Sequence, residues 1–431
     1  MKNRKALALI AILALVAAAC GGSDGGSDDA VVEVETTEAP ATTEAPTTTA
    51  APAPAGDPLI LASLMPLSGD LASLGPGIAL GAALAVEQIN AAGGINGQPV
   101  QLIEGDSGCD GAVALTSLND VIAQGAQGVM GAACSSTSLA ILDTAIAAEV
   151  VMISPSNTSP QFTKIDKKGF YARTAPSDLL QGDVLASLLV EDGVQTVSII
   201  SRADSYGRGL AEATAAAFEA AGGTVKTIVY HATDATEFSS EVTAVGKGGA
   251  DAIVGILFPE TGCGVLQPAF EQGLLDTPWY MTDGVKDAGL ASLCGLGTAL
   301  DGFKGTAPGS AAGEAKDAFE AAYAEVSADG SPTFIFAPQA YDAVMLMAIS
   351  AAANGVTGPE IASGLVAASS GGEKCIGVAC IALAADGVDV DYVGASGEIE
   401  LNAVGDPTAA TYDIWTTEGD TNPVLKSVDF G

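Results

Sequence analysis

The chain has 431 residues, of which 52 are acidic and 16 basic, for a formal net charge of −36 at pH 7. So acidic a surface makes nucleic acid a poor partner and favours solubility. His231 is the only histidine, and no CxxC pair is present, so metal-ligand spacing is missing and no metal or cofactor is expected.

The first twenty residues read as a lipoprotein signal peptide. Lys2, Arg4 and Lys5 form a basic head, Ala6 to Ala19 an apolar run, and VAAAC leads to Cys20. Ala17 stands where many such sites carry leucine. Processing would leave Cys20 as a lipid-bearing N-terminus, anchoring the protein to the outer face of the cell membrane or placing it in the periplasm. Residues 21–56 are rich in Gly, Ser, Asp, Thr, Ala and Pro. They cannot bury enough surface to fold and read as a disordered tether. Three bases lie in the signal and seven acids in the tether, so the body carries 45 acids against 13 bases.

From residue 59 strand and helix patterns alternate. LILASLM (59–65) reads as a buried strand, Gly75 to Ala92 as a helix, GGINGQ as a turn and PVQLIEGD as a second strand. Val113 to Ala123 is a helix candidate. Two short apolar runs follow, from Val129 and from Val150, each ending in a hydroxyl-rich turn: CSSTS and SPSNTSP. The first turn opens a helix, Ser136 to Ala148. Such turns gather at the carboxyl ends of a parallel sheet, where small ligands bind. Free N–H groups at a helix start, joined by hydroxyls, suit a carboxylate. The plainer role of Ser135 and Ser136 is to cap the helix. The pairing of two such turns, with Cys134 beside one, favours a ligand site.

A second series runs TVSIIS (196–201), a helix from Gly209 to Ala221, TVKTIVY (224–230), a helix from Ser239 to Lys247, and AIVGILF (252–258). Two runs of βαβα point to two parallel sheets. FYARTAPSD (170–178) and FKGTAPGS (303–310) suit crossovers between them. A helix is expected from Pro338 to Ala353, and the last strands at GEIELN and ATYDIWT.

Some chemistry is excluded by spacing. GPGIALG (75–81) reads GxGxxxG, not GxGxxG, so its glycines are expected to permit close helix packing rather than to hold a nucleotide. There is no Walker motif. A Ser–His–Asp hydrolase would need His231, and no GxSxG accompanies it. An enzyme is not expected. Six cysteines remain after Cys20 and allow fifteen connectivities; chain order favours Cys109–Cys134, Cys263–Cys294 and Cys375–Cys380.

PLSG (66–69), VEQINAAGGINGQPVQL (86–102), DSGCDGAVA, GAACSSTS, ISPSNTSP, YARTAPSD and SYGRGLAEA (205–213) together resemble the leucine/isoleucine/valine-binding proteins of ABC transporters. The resemblance spans Leu59 to Phe430 and is looser in the C-terminal third. It implies the type I periplasmic-binding fold: α/β, two doubly wound lobes joined by a three-crossover hinge. Residues 57–174 and 307–397 would form the N-terminal lobe, and 175–306 and 398–431 the C-terminal lobe. It implies a disulfide between Cys109 and Cys134 near the site. Ser135 would hold the α-carboxylate of an amino acid. Ser156 and Thr158 would supply further first-lobe contacts, Tyr206 would close over the ligand, and Asp283 would pair with the α-ammonium. Donors at one end and a carboxylate at the other are what a zwitterion needs.

Leu74 stands where relatives often carry an aromatic residue and Phe258 where some carry tyrosine; both would border the side-chain pocket. The partners implied are an amino acid, branched-chain in class, an ABC permease with its ATPases, and the membrane through Cys20. A monomer is expected. The alternative is urea, a short amide or an aromatic acid on the same fold.

Overall fold

In this computed structural model residues 56–430 are described. The signal segment, Cys20 and the tether up to residue 55 lie outside them. Among the described residues no helix is long and apolar enough to cross a membrane.

The first sheet is built from five short strands, β1 (Ile60–Met65), β2 (Gln101–Asp106), β3 (Gly128–Gly131), β4 (Val151–Ser154) and β5 (Tyr171–Arg173). They lie in the order β2-β1-β3-β4-β5, all parallel. Helices α1 (Gly75–Ala91), α2 (Gly111–Ala123) and α3 (Ser135–Ala147) connect them. Strands β3 and β4 are buried at every position, the mark of a parallel sheet covered on both faces. The glycines of α1 sit at close approaches: a Cβ on Gly75 would lie 1.8 Å from the Pro66 carbonyl oxygen, and one on Gly81 2.2 Å from that of Ala337. That close packing is what GPGIALG serves.

The chain then leaves this sheet. Helix α4 (Asp178–Glu191) leads to β6 (Thr196–Arg202), α5 (Ser205–Ala220), β7 (Thr224–His231), α6 (Ser239–Gly246), β8 (Ala252–Ile256), α7 (Pro259–Glu271), β9 (Trp279–Met281), α8 (Leu290–Leu293) and β10 (Lys304–Pro308). It returns with α9 (Glu314–Val326), α10 (Ala337–Asn354), α11 (Gly358–Ala368), β11 (Glu373–Ile376), α12 (Ala379–Ala385), β12 (Val390–Gly394) and β13 (Gly397–Glu398). Helix α10 is apolar almost all round and buried, as a helix enclosed by others must be. Strands β14 (Ala410–Thr416) and β15 (Val424–Phe430) complete the second sheet, ordered β15-β14-β10-β9-β8-β6-β7. Strands β11 to β13 form a small third sheet.

The parallel part of the second sheet repeats the first, since β7-β6-β8-β9-β10 has the connectivity of β2-β1-β3-β4-β5. Each therefore has a switch point, at β1/β3 and at β6/β8, where successive connections leave on opposite faces and open a crevice. The two-lobed α/β architecture is the one expected.

Several local expectations need correction. Tyr171–Arg173 and Lys304–Pro308, read inside crossovers, are strands, paired with β4 and with β9 and β14 respectively. The second crossing thus starts after Pro308 rather than at residue 307. The third comes later than residue 398: Gly405 still accepts a hydrogen bond from Arg173 N at 2.9 Å, beside the first sheet. Only Gly397–Glu398 of GEIELN is strand. Helices α4, α7 and α9 and strand β15 lie outside the expected elements.

Three disulfides join Cys109 to Cys134, Cys263 to Cys294 and Cys375 to Cys380. His231 is buried with Nδ1 3.1 Å from the Ala232 carbonyl oxygen and its ring edge-on to Phe238. Burial lowers its pKa, which fits a structural histidine.

Candidate functional site

The carboxyl ends of both sheets meet around one small cavity. Its wall is Leu71, Leu74 and Ile78 from the β1–α1 segment, Ala133 and Ser135 after β3, and Ser156 after β4. The second lobe adds Tyr206 after β6, Phe258 after β8, and Asp283 and Gly284 after β9; Phe336 comes from the start of α10. The free space enclosed is about 20 Å³, room for about one water molecule. Amino-acid-sized cargo requires the walls to part.

On the first-lobe side, Ser135 opens α3 and Cys134 is the N-cap, with no side-chain acceptor for the first N–H groups. That leaves donors at the positive end of the helix. Ser135 Oγ accepts from Ser159 N at 3.4 Å, and Ser156 Oγ donates to the Ala133 carbonyl at 3.1 Å. Asn157 Nδ2 donates to the carbonyls of Ala132 and Ala133 at 3.1 and 2.8 Å, fastening the two hydroxyl-rich turns together. Thr158 is fully buried just behind the cavity wall.

The second-lobe side carries carboxyl groups. Asp283 is buried, and burial pushes its carboxyl up to about 6, with the nearby Gln181 amide and the Tyr206 hydroxyl acting against it. Tyr206 Oη donates to Asp283 Oδ1 at 3.0 Å and lies 2.9 Å from Thr282 Oγ1. Gly284 is a glycine of necessity, since a Cβ there would lie 2.4 Å from the Leu257 carbonyl oxygen. Asp178, first residue of α4, is fully buried and neither carboxylate oxygen has a well-formed protein partner. Burial and the neighbouring Asp283 raise it well above the carboxylate range, with the Thr158 hydroxyl acting against them. Two buried acids on one side make a place for a cation.

The apolar wall is braced by stacking. Phe258 lies against Tyr206, ring centroids 5.4 Å apart and 13° from coplanar, and the Arg202 guanidinium sits 3.9 Å above the Phe258 ring. Arg202 in turn pairs with Asp70 from the first lobe and, through Nε at 2.9 Å, with Asp204. Asp70 also accepts from Thr261 N at 2.9 Å and Thr261 Oγ1 at 3.1 Å, at the start of α7. Ser73 N donates to Glu260 Oε1 at 2.9 Å and Ile335 N to Asp287 Oδ2 at 2.9 Å, so several bonds cross the cleft.

Ser135, Ser156, Tyr206, Phe258, Leu74 and Asp283 are thus brought to one cavity, with Thr158 behind it. Sequence reading missed Asp178, Arg202 and Phe336. Asp178 was in view at the end of YARTAPSD, where Ser-Asp before an apolar run marks a helix start. Phe336 had no local signal; it holds a left-handed backbone, φ 60°, costly for an aromatic residue. A wider cleft of about 580 Å³ lies along β11–β13 and β15. Glu314, Lys374, Glu398 and Asp429 on its rim are exposed, and it shares no lining residue with the cavity between the lobes.

The chain matches the periplasmic binding protein family model over residues 58–374. It is 34% identical over 238 residues to the amino acid binding protein of Pseudomonas aeruginosa, covering 53% of this chain and 62% of that protein. It is 30% identical over 304 residues to the leucine-, isoleucine-, valine-, threonine- and alanine-binding protein of the same organism, covering 68% and 78%. The first alignment thus spans less than two thirds of its relative. Among solved structures it resembles a leucine-binding protein of Thermotoga maritima, with TM-score 0.73, 20% identity and 86% and 98% coverage. It also resembles a branched-chain amino acid binding protein of Streptococcus pneumoniae in complex with isoleucine, with TM-score 0.72, 22% identity and 86% and 99% coverage. A Rhodopseudomonas palustris solute binding protein in complex with 4-hydroxybenzoate has TM-score 0.72, 19% identity and 86% and 97% coverage. At these identities the structural likeness speaks to fold.

Proposed function

Because this chain belongs to the periplasmic binding protein family, we propose that it captures an amino acid, branched-chain in class, between its lobes. It then delivers the ligand to an ABC permease driven by cytoplasmic ATPases. The observation that carries the reading is the polarity of the cavity: hydroxyls and a helix start on one side, Asp283 on the other with Asp178 buried near it, apolar walls between. A zwitterion with an aliphatic side chain satisfies all three.

In this reading Ser135 and the N–H groups of α3 hold the α-carboxylate, with Ser156 and Thr158 beside them. Asp283 and Asp178 receive the ammonium, Tyr206 closes over it, and Leu74 and Phe258 border the side chain. Binding of this kind is domain closure around a ligand. The protein works outside the cytoplasm as a monomer, held to the membrane by lipid on Cys20, with residues 21–56 as its tether.

Mass spectrometry of ligand released on unfolding tests the class directly: a branched-chain amino acid is expected. Release of an aromatic acid would favour the second reading, for which Tyr206, Phe258 and Phe336 in the wall are the supporting feature. Two buried acids count against it for any ligand without an amine.

A further inference from the structure

Arg173 has five N–H groups, and every one has an acceptor. Nε donates to Asp406 Oδ1 at 3.0 Å, and Nη2 donates to Asp406 Oδ2 at 3.1 Å and to Thr163 Oγ1 at 3.0 Å. Nη1 donates to the backbone oxygens of Asn157 at 3.1 Å and Ser159 at 3.0 Å. The side chain is completely buried. A planar guanidinium has five donors for these five acceptors; an ammonium has only three.

Two features set this network apart from an ordinary buried ion pair. Its charged pair links the approaches to two crossovers: Arg173 ends β5 just before the first crossing, and Asp406 shortly precedes the third. The carbonyls it holds are the two on either side of Thr158. Thr158's own carbonyl accepts from Asp178 N at 2.8 Å. All three carbonyls of the turn therefore accept from Arg173 or Asp178, the residues on either side of the first crossing, and that of Ser159 also accepts from Phe162 N at 3.3 Å. The turn also reaches the other lobe, since Ser159 Oγ donates to the Ser205 carbonyl at 2.9 Å, next to Tyr206.

We propose that Arg173 is a positioning residue for the ligand. It fixes the Asn157–Ser159 turn so that Thr158 and its neighbours meet the cargo, and through Asp406 it ties that turn to the hinge. The assignment rests on the reading that the cleft takes an amino acid, but its first test is independent of that reading.

In the ligand-free full chain, Arg173→Lys is expected to speed amide hydrogen exchange in the 156–159 turn at least tenfold, while β6 to β8 keep their rates. Equal acceleration in both sheets would mean Arg173 only stabilises the fold, and the proposal would be overturned. The second arm uses leucine as the probe with Arg173→Lys, Thr158→Val and the double variant. Arg173→Lys is expected to raise Kd at least tenfold, and Thr158→Val to add less than threefold on that background while costing more alone. Additive effects would overturn the proposal. Should Arg173→Lys fail to fold, Asp406→Asn removes one acceptor of the fork and is expected to give the same pattern at smaller size; unchanged exchange in the turn would then overturn it. If the parent binds no leucine while the exchange pattern holds, the functional reading fails and the positioning role stands.

Discussion

Asp70 and Arg202 pair across the cleft, the first on the segment after β1 and the second at the end of β6. Both are attached to the cavity wall. Asp70 precedes Leu71 and Leu74, and Arg202 lies over Phe258. In the proposed closure the contact would form only with the lobes together, so it would belong to the closed state.

Asp70→Ala is therefore expected to speed ligand release more than it slows capture. Arg202 keeps Asp204 as a partner and Asp70 is partly exposed, so the loss should be about 1–2 kcal/mol, or roughly 5- to 30-fold in dissociation rate. Association, which starts from the open form, should change little. Stopped-flow measurement of both rates checks this; a loss confined to the association rate would place the pair elsewhere in the cycle.

Asp283→Asn keeps the shape of the site and removes a charge. Against leucine or valine it should cost about 2–5 kcal/mol. Ser135→Ala leaves the α3 backbone donors in place and should cost about 1.5–3 kcal/mol. Calorimetric titration of both variants against leucine, valine, a simple amide and an aromatic acid reads the pattern. An uncharged amide should lose little on Asp283→Asn. Unimpaired binding of every amino acid by that variant would end the zwitterion reading.

Affinity for an ammonium should also depend on pH. Asp283, raised by burial to about 6, must be ionised to bind it. Binding should strengthen about fivefold from pH 5 to 6 and level off above 7, with Asp178 titrating as part of the same pair. Ligand-free stability runs the other way. A carboxyl raised on folding from 3.8 to about 6 contributes fully below about pH 4, and the contribution is lost as pH rises through 6, about 3 kcal/mol in all. Urea unfolding and titration across pH 4.5–8 measure both. Asp283→Asn should flatten both curves.

Opening the Cys109–Cys134 bridge, which spans 25 residues, should cost about 3.5 kcal/mol in the chain-entropy model, against about 2 kcal/mol for the Cys375–Cys380 loop of 5. Paired serine substitutions followed by urea unfolding measure the difference. The first should also weaken ligand binding, because Cys134 immediately precedes Ser135; the second should leave it unchanged.

The elements legible in sequence were those whose burial is one-sided or complete. LILASLM and the runs at Val129 and Val150 are uninterrupted apolar strands. Ser135 was legible because it follows such a strand, where turn chemistry stands out; Ser156 and Asp283 also follow strands, but their roles came from the family resemblance. What hid was set by tertiary partners. Lys304–Pro308 looks like a polar connector, yet becomes a strand because β9 and β14 flank it. VLKSVDF (Val424–Phe430) is an exposed edge strand with no buried face to declare it. Asp178 looked like a helix-start residue; nothing local says that both its oxygens end up without partners. Arg202 and Asp70 are 132 residues apart, and no short-range pattern couples them.

Among the described residues, each disulfide closes within one lobe: Cys109–Cys134 and Cys375–Cys380 in the first, Cys263–Cys294 in the second. Oxidation therefore stiffens the two bodies while leaving their relative rotation free. A chain that matures in an oxidising compartment can thus be covalently hardened against unfolding and proteolysis and still pass through its full stroke. Redox conditions would change how long the molecule survives, not how far it opens.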